Sequence, residues 1–153
     1  MDLLLVQVLS LDPLEGGTID VNDIIDSLPI LSTLGCFAKK PLTLTGAAIA
    51  RKKESDRISS MATELSKMGA QIEEFEDGLT IYPCSLHGAE VFSHRDHRVA
   101  MALVVAALGA KSPSIIHDTA CIAKSFPNFV TEINQCSSSL ALQVLEKAPL
   151  AVH

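Results

Sequence analysis

The chain has 153 residues and a formal net charge of −6, which is enough for one domain with a hydrophobic core and disfavours a nucleic-acid partner. No apolar run reaches transmembrane length and the N-terminus lacks the basic region of a signal peptide, so we expect neither membrane insertion nor secretion. The cysteines are scattered without metal-binding spacing, so we expect reduced thiols in a cytoplasmic protein and no metal site.

Hydrophobic periodicity and turn residues predict strands and helices that alternate along the chain. In chain order we expect one or two strands over 3–11, a strand at 18–21, an apolar helix within 26–40, a strand at 42–45, a helix over 55–67 closed by Gly69, two strands at 70–74 and 79–82 joined by a hairpin turn, a strand at 89–92, a buried helix at 96–108, a strand at 114–117 and a last helix that includes 129–133.

This order of elements repeats. The helix at 26–40, the strand at 42–45 and the next charged helix start match the helix at 96–108, the strand at 114–117 and a helix opened by Lys124, at an offset of about 70 residues. We therefore predict an α/β fold of repeated β-α-β-α-β-β units, with buried helices flanked by sheets. The predicted units span about residues 1–82 and 83–136, and 137–153 form a helix-like tail.

Three charged stretches, 51–57, 94–98 and 124–127, stand where predicted helices begin. A helix N-terminus already carries partial positive charge, so added cations do not stabilise the helix. They make better sense if an anion is held at these helix entrances. The alternative is that Arg57 and Arg98 are solvated charges at helix starts.

Five strings of the sequence carry a family resemblance through their order and spacing. They are Arg51-Lys52-Lys53-Glu54-Ser55-Asp56-Arg57, Met68-Gly69-Ala70, Asp77-Gly78-Leu79, Asp96-His97-Arg98-Val99-Ala100-Met101-Ala102 and Cys121-Ile122-Ala123-Lys124-Ser125-Phe126-Pro127. Over roughly residues 8–135 the chain resembles the 5-enolpyruvylshikimate-3-phosphate synthase (3-phosphoshikimate 1-carboxyvinyltransferase) family.

The resemblance implies a transferase of the shikimate pathway, in aromatic amino acid biosynthesis. Such an enzyme moves the enolpyruvyl group of phosphoenolpyruvate to the 5-hydroxyl of shikimate 3-phosphate and releases phosphate, without a cofactor. The family fold is an inside-out α/β barrel with two domains, and the chain matches about two of the three units of the C-terminal domain. The implied active site lies between the domains, so we expect the chain to need the missing N-terminal domain and to be inactive alone.

The resemblance also implies roles for individual residues. Arg57, Arg98 and Lys124 match positions that bind phosphoenolpyruvate, whose carboxylate and phosphate suit guanidinium forks. Asp26 and Lys53 match contacts to shikimate 3-phosphate.

Proton transfer is implied for two carboxylates. Asp26 is placed to accept the 5-hydroxyl proton, and Glu54 to deliver and remove the proton at the methylene carbon. Structural alternatives are a helix N-cap for Asp26 and a helix-dipole contact for Glu54. Ile49 replaces a family asparagine, which removes one polar contact.

Other residues near these strings are expected to support the site. Asp56 and Asp96 suit N-terminal helix positions where they also hold neighbouring arginines. His97 is expected to pack and hydrogen-bond beside Arg98, and a general-base role is the alternative. A nucleophilic role for Cys121 is not expected, because the chemistry needs no covalent step. His94 is assigned no role.

Two other functions stay open from the sequence. The chain could be a non-catalytic anion-binding or assembly piece, or it could resemble the related UDP-N-acetylglucosamine enolpyruvyl transferases, against which the 53–57 string argues. An apolar flank left by a missing unit would also favour a homo-oligomer.

Overall fold

The fold is seen in a computed structural model that describes residues 14–136 and 142–144. In chain order the elements are β1 (Gly17–Asp20), a 3-10 segment (Asn22–Ser27), α1 (Leu28–Cys36), β2 (Leu42–Thr45), a 3-10 segment (Ala48–Lys52), α2 (Arg57–Lys67), β3 (Gln71–Phe75), β4 (Gly78–Tyr82), β5 (Glu90–Phe92), α3 (His97–Leu108), β6 (Ile115–His117), a 3-10 segment (Thr119–Lys124) and α4 (Phe129–Cys136). The strands predicted over 3–11, and all of the predicted tail except 142–144, lie outside the described residues.

The strands form two sheets with a shared plan. In the first, ordered β1-β2-β4-β3, β1 and β2 are parallel and the other pairs are antiparallel. In the second, β5 and β6 are parallel. Each parallel pair is joined through one helix, β1-α1-β2 and β5-α3-β6. The predicted α/β fold with a repeated arrangement is therefore confirmed, while the proposed unit boundaries stay a prediction.

Helices α1 and α3 pack against each other in the interior because neither has a continuous polar face. The hydroxyl of Thr33 donates to the backbone oxygen of Ala102 at 3.0 Å and joins the two helices. Gly35 brings α1 close to the first sheet, since a Cβ there would lie 2.9 Å from the Cβ of Ile81. The largest fully buried apolar side chains are Leu28, Leu42, Leu44, Ile58, Met61, Leu65, Met68, Leu79, Ile81, Leu86 and Leu103.

Two aspartates set where α2 and α3 begin. Asp56 and Asp96 both have extended backbones, and each side chain accepts a hydrogen bond from a backbone N–H of its own helix, that of Ser59 and that of Arg98 respectively. This N-cap geometry satisfies an otherwise unpaired donor. It also places Arg57 and Arg98 in the first turn of their helices.

Two predicted helix bounds are wrong. The prediction that Lys124 opens the last helix fails because Lys124 ends a 3-10 segment and α4 begins only at Phe129. Pro127 explains the gap, since it disfavours helical backbone at the residue before it. The helix predicted within 26–40 is shorter, because residues 22–27 form a 3-10 segment and α1 ends at Cys36, before Pro41.

Over residues 14–136 and 142–144, no helix has the length and apolar content needed to cross a bilayer. The same residues contain no group of three or more His, Cys, Asp or Glu side chains arranged to hold a metal ion. All four cysteines are free. Burial raises the pKa of the Cys36 thiol far above its usual value, and the neighbouring Cys84 adds to the effect.

Candidate functional site

Arg57 stands at the centre of the candidate site, and its side chain is only 1% exposed. Its Nε donates to Asp96 Oδ2 at 2.7 Å, and one terminal nitrogen donates to Asp26 Oδ1 at 2.7 Å. The other terminal nitrogen donates to Glu54 Oε2 at 2.8 Å and to Asp96 Oδ1 at 3.3 Å. One buried guanidinium therefore ties together three carboxylates from separate segments of the chain.

Asp96 is the buried partner of that guanidinium, with a fully covered side chain. Besides Arg57, it accepts hydrogen bonds from the backbone N–H of Arg98 and the hydroxyl of Ser55. Burial raises the pKa of Asp96, but the hydrogen bond and charge of Arg57 outweigh it and the net pKa lies below its usual value. Asp96 therefore stays ionised and fixes both arginines relative to each other.

Asp26 gathers cations at the surface of the site. Its Oδ1 lies 2.7 Å from Arg57 and 3.5 Å from Lys53 Nζ, and its Oδ2 lies 3.2 Å from Arg98. The hydrogen bond from Arg57 lowers the pKa of Asp26, and the charges of Arg98 and Lys53 lower it further, against a smaller effect of burial. With 47% of its side chain exposed, Asp26 can be reached by a ligand.

Glu54 lies on the other side of Arg57, in the turn that precedes α2. Its Oε1 is 3.5 Å from Nδ1 of His97. That nitrogen is buried and makes no hydrogen bond among the described residues. The Glu54 side chain is 41% exposed, so this carboxylate faces both His97 and solvent.

Asp56 and Arg51 form a separate ion pair beside the site. Arg51 donates to Asp56 at 2.9 Å and to Glu74 at 2.9 Å, and two backbone oxygens accept from the same guanidinium. Its charge is thus compensated by Asp56 before α2 and by Glu74 on β3. Arg51 holds the turn before α2 in place and is not directed at the carboxylate cluster.

A cleft of about 200 Å³ opens beside Asp26 and Arg98. It lies between α1 and α3, and its apolar wall is formed by Pro29, Ile30, Met101, Ala102 and Val105. Arg98, with 40% of its side chain exposed, stands at the edge of this cleft. A cation and a carboxylate thus share one accessible opening.

The structure brings most of the predicted site residues together. The cluster contains Asp26, Lys53, Glu54, Arg57, Asp96, His97 and Arg98. Lys124 is different: it is exposed, and no ion pair joins it to another described residue. Ile49, 56% exposed, lies on the 3-10 segment before the charged turn.

Sequence reasoning missed the roles of Ser55 and Glu64. The hydroxyl of Ser55 donates to Asp96 Oδ2 at 3.2 Å. Glu64 is a carboxylate with 1% exposure that binds His94 and the backbone of Phe92. Its helical spacing beside Met61 and Leu65 was the only available signal, and it indicated a core-facing position without naming a partner.

The family pattern and the sequence relatives that match this chain carry the same enzyme name. The sequence pattern of EPSP synthase (3-phosphoshikimate 1-carboxyvinyltransferase) matches residues 4–133. Proteins named 3-phosphoshikimate 1-carboxyvinyltransferase from Chlamydia felis and Chlamydia pneumoniae are 51% and 54% identical over 125 and 119 residues. These alignments cover 82% and 78% of this chain but 28% and 27% of the relatives.

Solved structures agree with the sequence relatives. An EPSP synthase structure from Acinetobacter baumannii superposes with a TM-score of 0.74 at 37% identity, covering 79% of this chain and 30% of that chain. The enolpyruvyl transferase NikO from Streptomyces tendae, at 22% identity and a TM-score of 0.69, shares the fold. The chain thus spans less than a third of the length of the proteins it matches.

Proposed function

Because the chain belongs to the EPSP synthase family, we propose that it forms part of a transferase that moves the enolpyruvyl group of phosphoenolpyruvate to the 5-hydroxyl of shikimate 3-phosphate. One observation carries the proposal. Two arginines and two solvent-reaching carboxylates, Arg57, Arg98, Asp26 and Glu54, meet beside one cleft although they come from three separate segments.

The arginines suit the anionic groups of phosphoenolpyruvate. Arg98 is partly exposed and has a single carboxylate partner among the described residues, Asp26 at 3.2 Å. Its fork can bind a carboxylate or phosphate bidentately. Arg57 lies behind it, held rigidly by Asp96 at 2.7 Å. Lys124, on its exposed segment, would add a positive charge for the departing phosphate.

Ligand binding and carboxylate basicity are coupled in this arrangement. Asp26 shares its oxygens with Arg57, Arg98 and Lys53, which lower its pKa and make it a weak base. An incoming dianion competes with Asp26 for the same cations. A cation that turns to phosphoenolpyruvate no longer lowers the pKa of Asp26. Asp26 therefore becomes a stronger base once phosphoenolpyruvate is bound, when it has to accept the 5-hydroxyl proton of shikimate 3-phosphate.

The proposed reaction has an addition and an elimination. In the addition, the 5-hydroxyl oxygen bonds to C2 of phosphoenolpyruvate, Asp26 accepts the hydroxyl proton, and Glu54 protonates C3 as the double bond opens. In the elimination, Glu54 takes a proton back from C3, the double bond re-forms, the C2–O bond to phosphate breaks, and the proton taken up by Asp26 leaves with the phosphate. Lys53, 3.5 Å from Asp26, would orient shikimate 3-phosphate at this carboxylate.

Calorimetric titration of the 153-residue chain tests this function by ligand binding, because the whole relatives are much longer. We expect phosphoenolpyruvate to bind with a dissociation constant on the order of 10–100 micromolar. Binding should tighten with shikimate 3-phosphate and be lost in Arg98→Ala. Lys52→Ala is the matched control, since Lys52 is an exposed cation of the same stretch with no ion pair to a described residue.

Two outcomes would count against the proposal. One is no heat at millimolar phosphoenolpyruvate from a chain that still melts cooperatively. The other is equal loss of binding in Lys52→Ala and Arg98→Ala, because binding would then reflect general positive charge and not the site.

A further inference from the structure

Glu64 is a buried carboxylate that the proposed chemistry does not use. It lies on α2 with 1% of its side chain exposed. Three donors surround it: His94 Nε2 lies 2.8 Å from Oε1, while Lys67 Nζ at 2.7 Å and the backbone N–H of Phe92 at 3.0 Å both contact Oε2. Burial raises the pKa of Glu64, but these donors outweigh it and keep the carboxylate ionised. Leaving such a buried charge unpaired would be costly, so its contacts constrain the segments that supply the donors.

The donors belong mainly to one segment, which we call loop 92–96: it runs from the last residue of β5 to Asp96, the N-cap of α3. Within it, His94 and Arg95 have φ angles of 53° and 59°. Side chains with a Cβ rarely adopt this left-handed backbone, and two such residues in succession store strain. The loop therefore needs contacts that hold it in this conformation.

Helix α2 supplies those contacts at both ends of the loop. Glu64 holds its beginning through Phe92 and His94, and Arg57 holds its end through Asp96 at 2.7 Å. Arg57 and Glu64 are seven residues apart, which is about two helical turns, so they project from the same face. Between them the loop also closes on itself, through the backbone bond from Asp96 N–H to the Ser93 oxygen.

We propose that Glu64 is a positioning residue for the anion site: it holds the left-handed loop 92–96 so that Asp96 meets Arg57 and Arg98 meets Asp26. This inference rests on the proposed function for the identity of the anion. The placement of the loop itself does not depend on that function. Glu64 touches no reacting group and acts only through the backbone that it holds.

A double-mutant cycle in the 153-residue chain separates positioning from a merely structural role. Glu64→Gln removes the negative charge and replaces one carboxylate oxygen by an amide NH₂ group. This group cannot accept the hydrogen bonds that the replaced oxygen accepted. Arg95→Gly removes the side chain at φ 59°, so one of the two left-handed positions no longer needs to be held. If Glu64 acts by holding that backbone, Arg95→Gly should relieve part of the effect of Glu64→Gln.

The first readout is phosphoenolpyruvate affinity by calorimetry. We expect Glu64→Gln to weaken binding about tenfold in the wild-type background and less than about threefold in the Arg95→Gly background. Glu132→Gln, an exposed glutamate on α4, should change nothing. An equal loss in both backgrounds, or no loss in the wild-type background, would overturn the proposal.

The second readout is amide hydrogen exchange at Phe92 and Asp96, which needs no ligand. We expect both amides to exchange faster in Glu64→Gln and to recover in part in the double variant. If wild-type chain binds no phosphoenolpyruvate, the proposed function fails, and exchange alone decides the role of Glu64. If Glu64→Gln does not fold, His94→Ala removes one contact of a side chain that is 40% exposed, and the same cycle and outcomes apply.

Discussion

At the scale of single residues, the candidate site is a network of charges around Arg57. Four of its contacts go to carboxylates, and Asp96 supplies two of them from a fully buried position. Buried ion pairs of this kind contribute more to geometry than to net stability. Removing one partner, however, leaves the other charge buried without compensation. The consequences of removing a single partner are therefore large and measurable.

Asp96→Asn should lower the free energy of unfolding by about 3–5 kcal/mol, because it leaves the buried guanidinium of Arg57 without its fully buried carboxylate partner. Urea unfolding measures the change. Asp23→Asn is the control, since Asp23 is exposed and, among the described residues, its side chain accepts only from the neighbouring Asn22 side chain. A loss for Asp96→Asn as small as that of the control would contradict the buried pair.

The same carboxylates determine how the free energy of unfolding decreases at acid pH. Asp26, Asp96 and Glu64 all have a pKa below the usual value, because cations and hydrogen-bond donors favour the ionised forms in the folded chain. In the unfolded chain these groups take up protons near pH 4, so their stabilisation is present above about pH 4 and is lost as the pH falls through their lowered folded values.

We therefore expect the urea midpoint to fall steeply between about pH 4 and pH 2. Asp26 contributes less than the other two, because nearly half of its side chain is exposed and its interactions are screened by solvent. Glu64→Gln should flatten the dependence. A midpoint that stays constant over this range, or that rises as the pH falls, would show that the carboxylates are not paired as described.

At the scale of elements, local sequence signals decide where α2 ends. Met68 caps the helix, and Gly69 follows with φ +94°. The N–H of Gly69 donates to Ser66 and that of Ala70 to Leu65, both at 3.0 Å, which is the Schellman arrangement. The helix therefore closes through backbone bonds that require a left-handed residue at position 69.

Gly69→Ala should reduce the free energy of unfolding by about 1–2 kcal/mol, because alanine disfavours the left-handed backbone. A Cβ would also approach the His87 ring at 2.9 Å, although that exposed side chain can move aside. Thermal unfolding by circular dichroism measures the effect, with Ser66→Ala on the exposed face of α2 as control. Equal melting temperatures for the two variants would count against this cap.

The elements that sequence reasoning places well are those whose signal is local. Strand β2 occupies 42–45 as predicted, because Leu42 and Leu44 alternate with threonines and face the core. The 3-10 segment at 48–52 was missed, since its closure depends on long-range bonds such as that from the Ala47 N–H to the Asp77 oxygen. Left-handed backbone at His94 and Arg95 likewise has no signal in residue type.

At the scale of the whole molecule, the site exists because segments far apart along the chain meet in the fold. Asp26 precedes α1, Arg57 begins α2, and Asp96 and Arg98 stand at the start of α3. Sequence reasoning identified these residues from a resemblance and from charge at helix starts. It could not show that Arg57 is buried and fully paired, because its partner Asp96 is 39 positions away along the chain.

Because Arg57 and Arg98 share the carboxylate of Asp26, an anion should engage both arginines at once and should displace that carboxylate to do so. The chain offers an internal comparison, because its arginines are Arg51, Arg57, Arg95 and Arg98. Arg51 is already compensated by Asp56 and Glu74 at 2.9 Å each. It should be unaffected by a ligand that binds at the cleft.

The most direct measurement is a phosphoenolpyruvate titration of the 153-residue chain, followed through the ¹H–¹⁵N signals of its arginine Nε groups. We expect the Arg57 and Arg98 signals to shift together along one saturating curve while the Arg51 signal stays in place. Shifts confined to Arg51 or Arg95, or no saturable shift at millimolar ligand, would contradict an anion site built from Arg57 and Arg98.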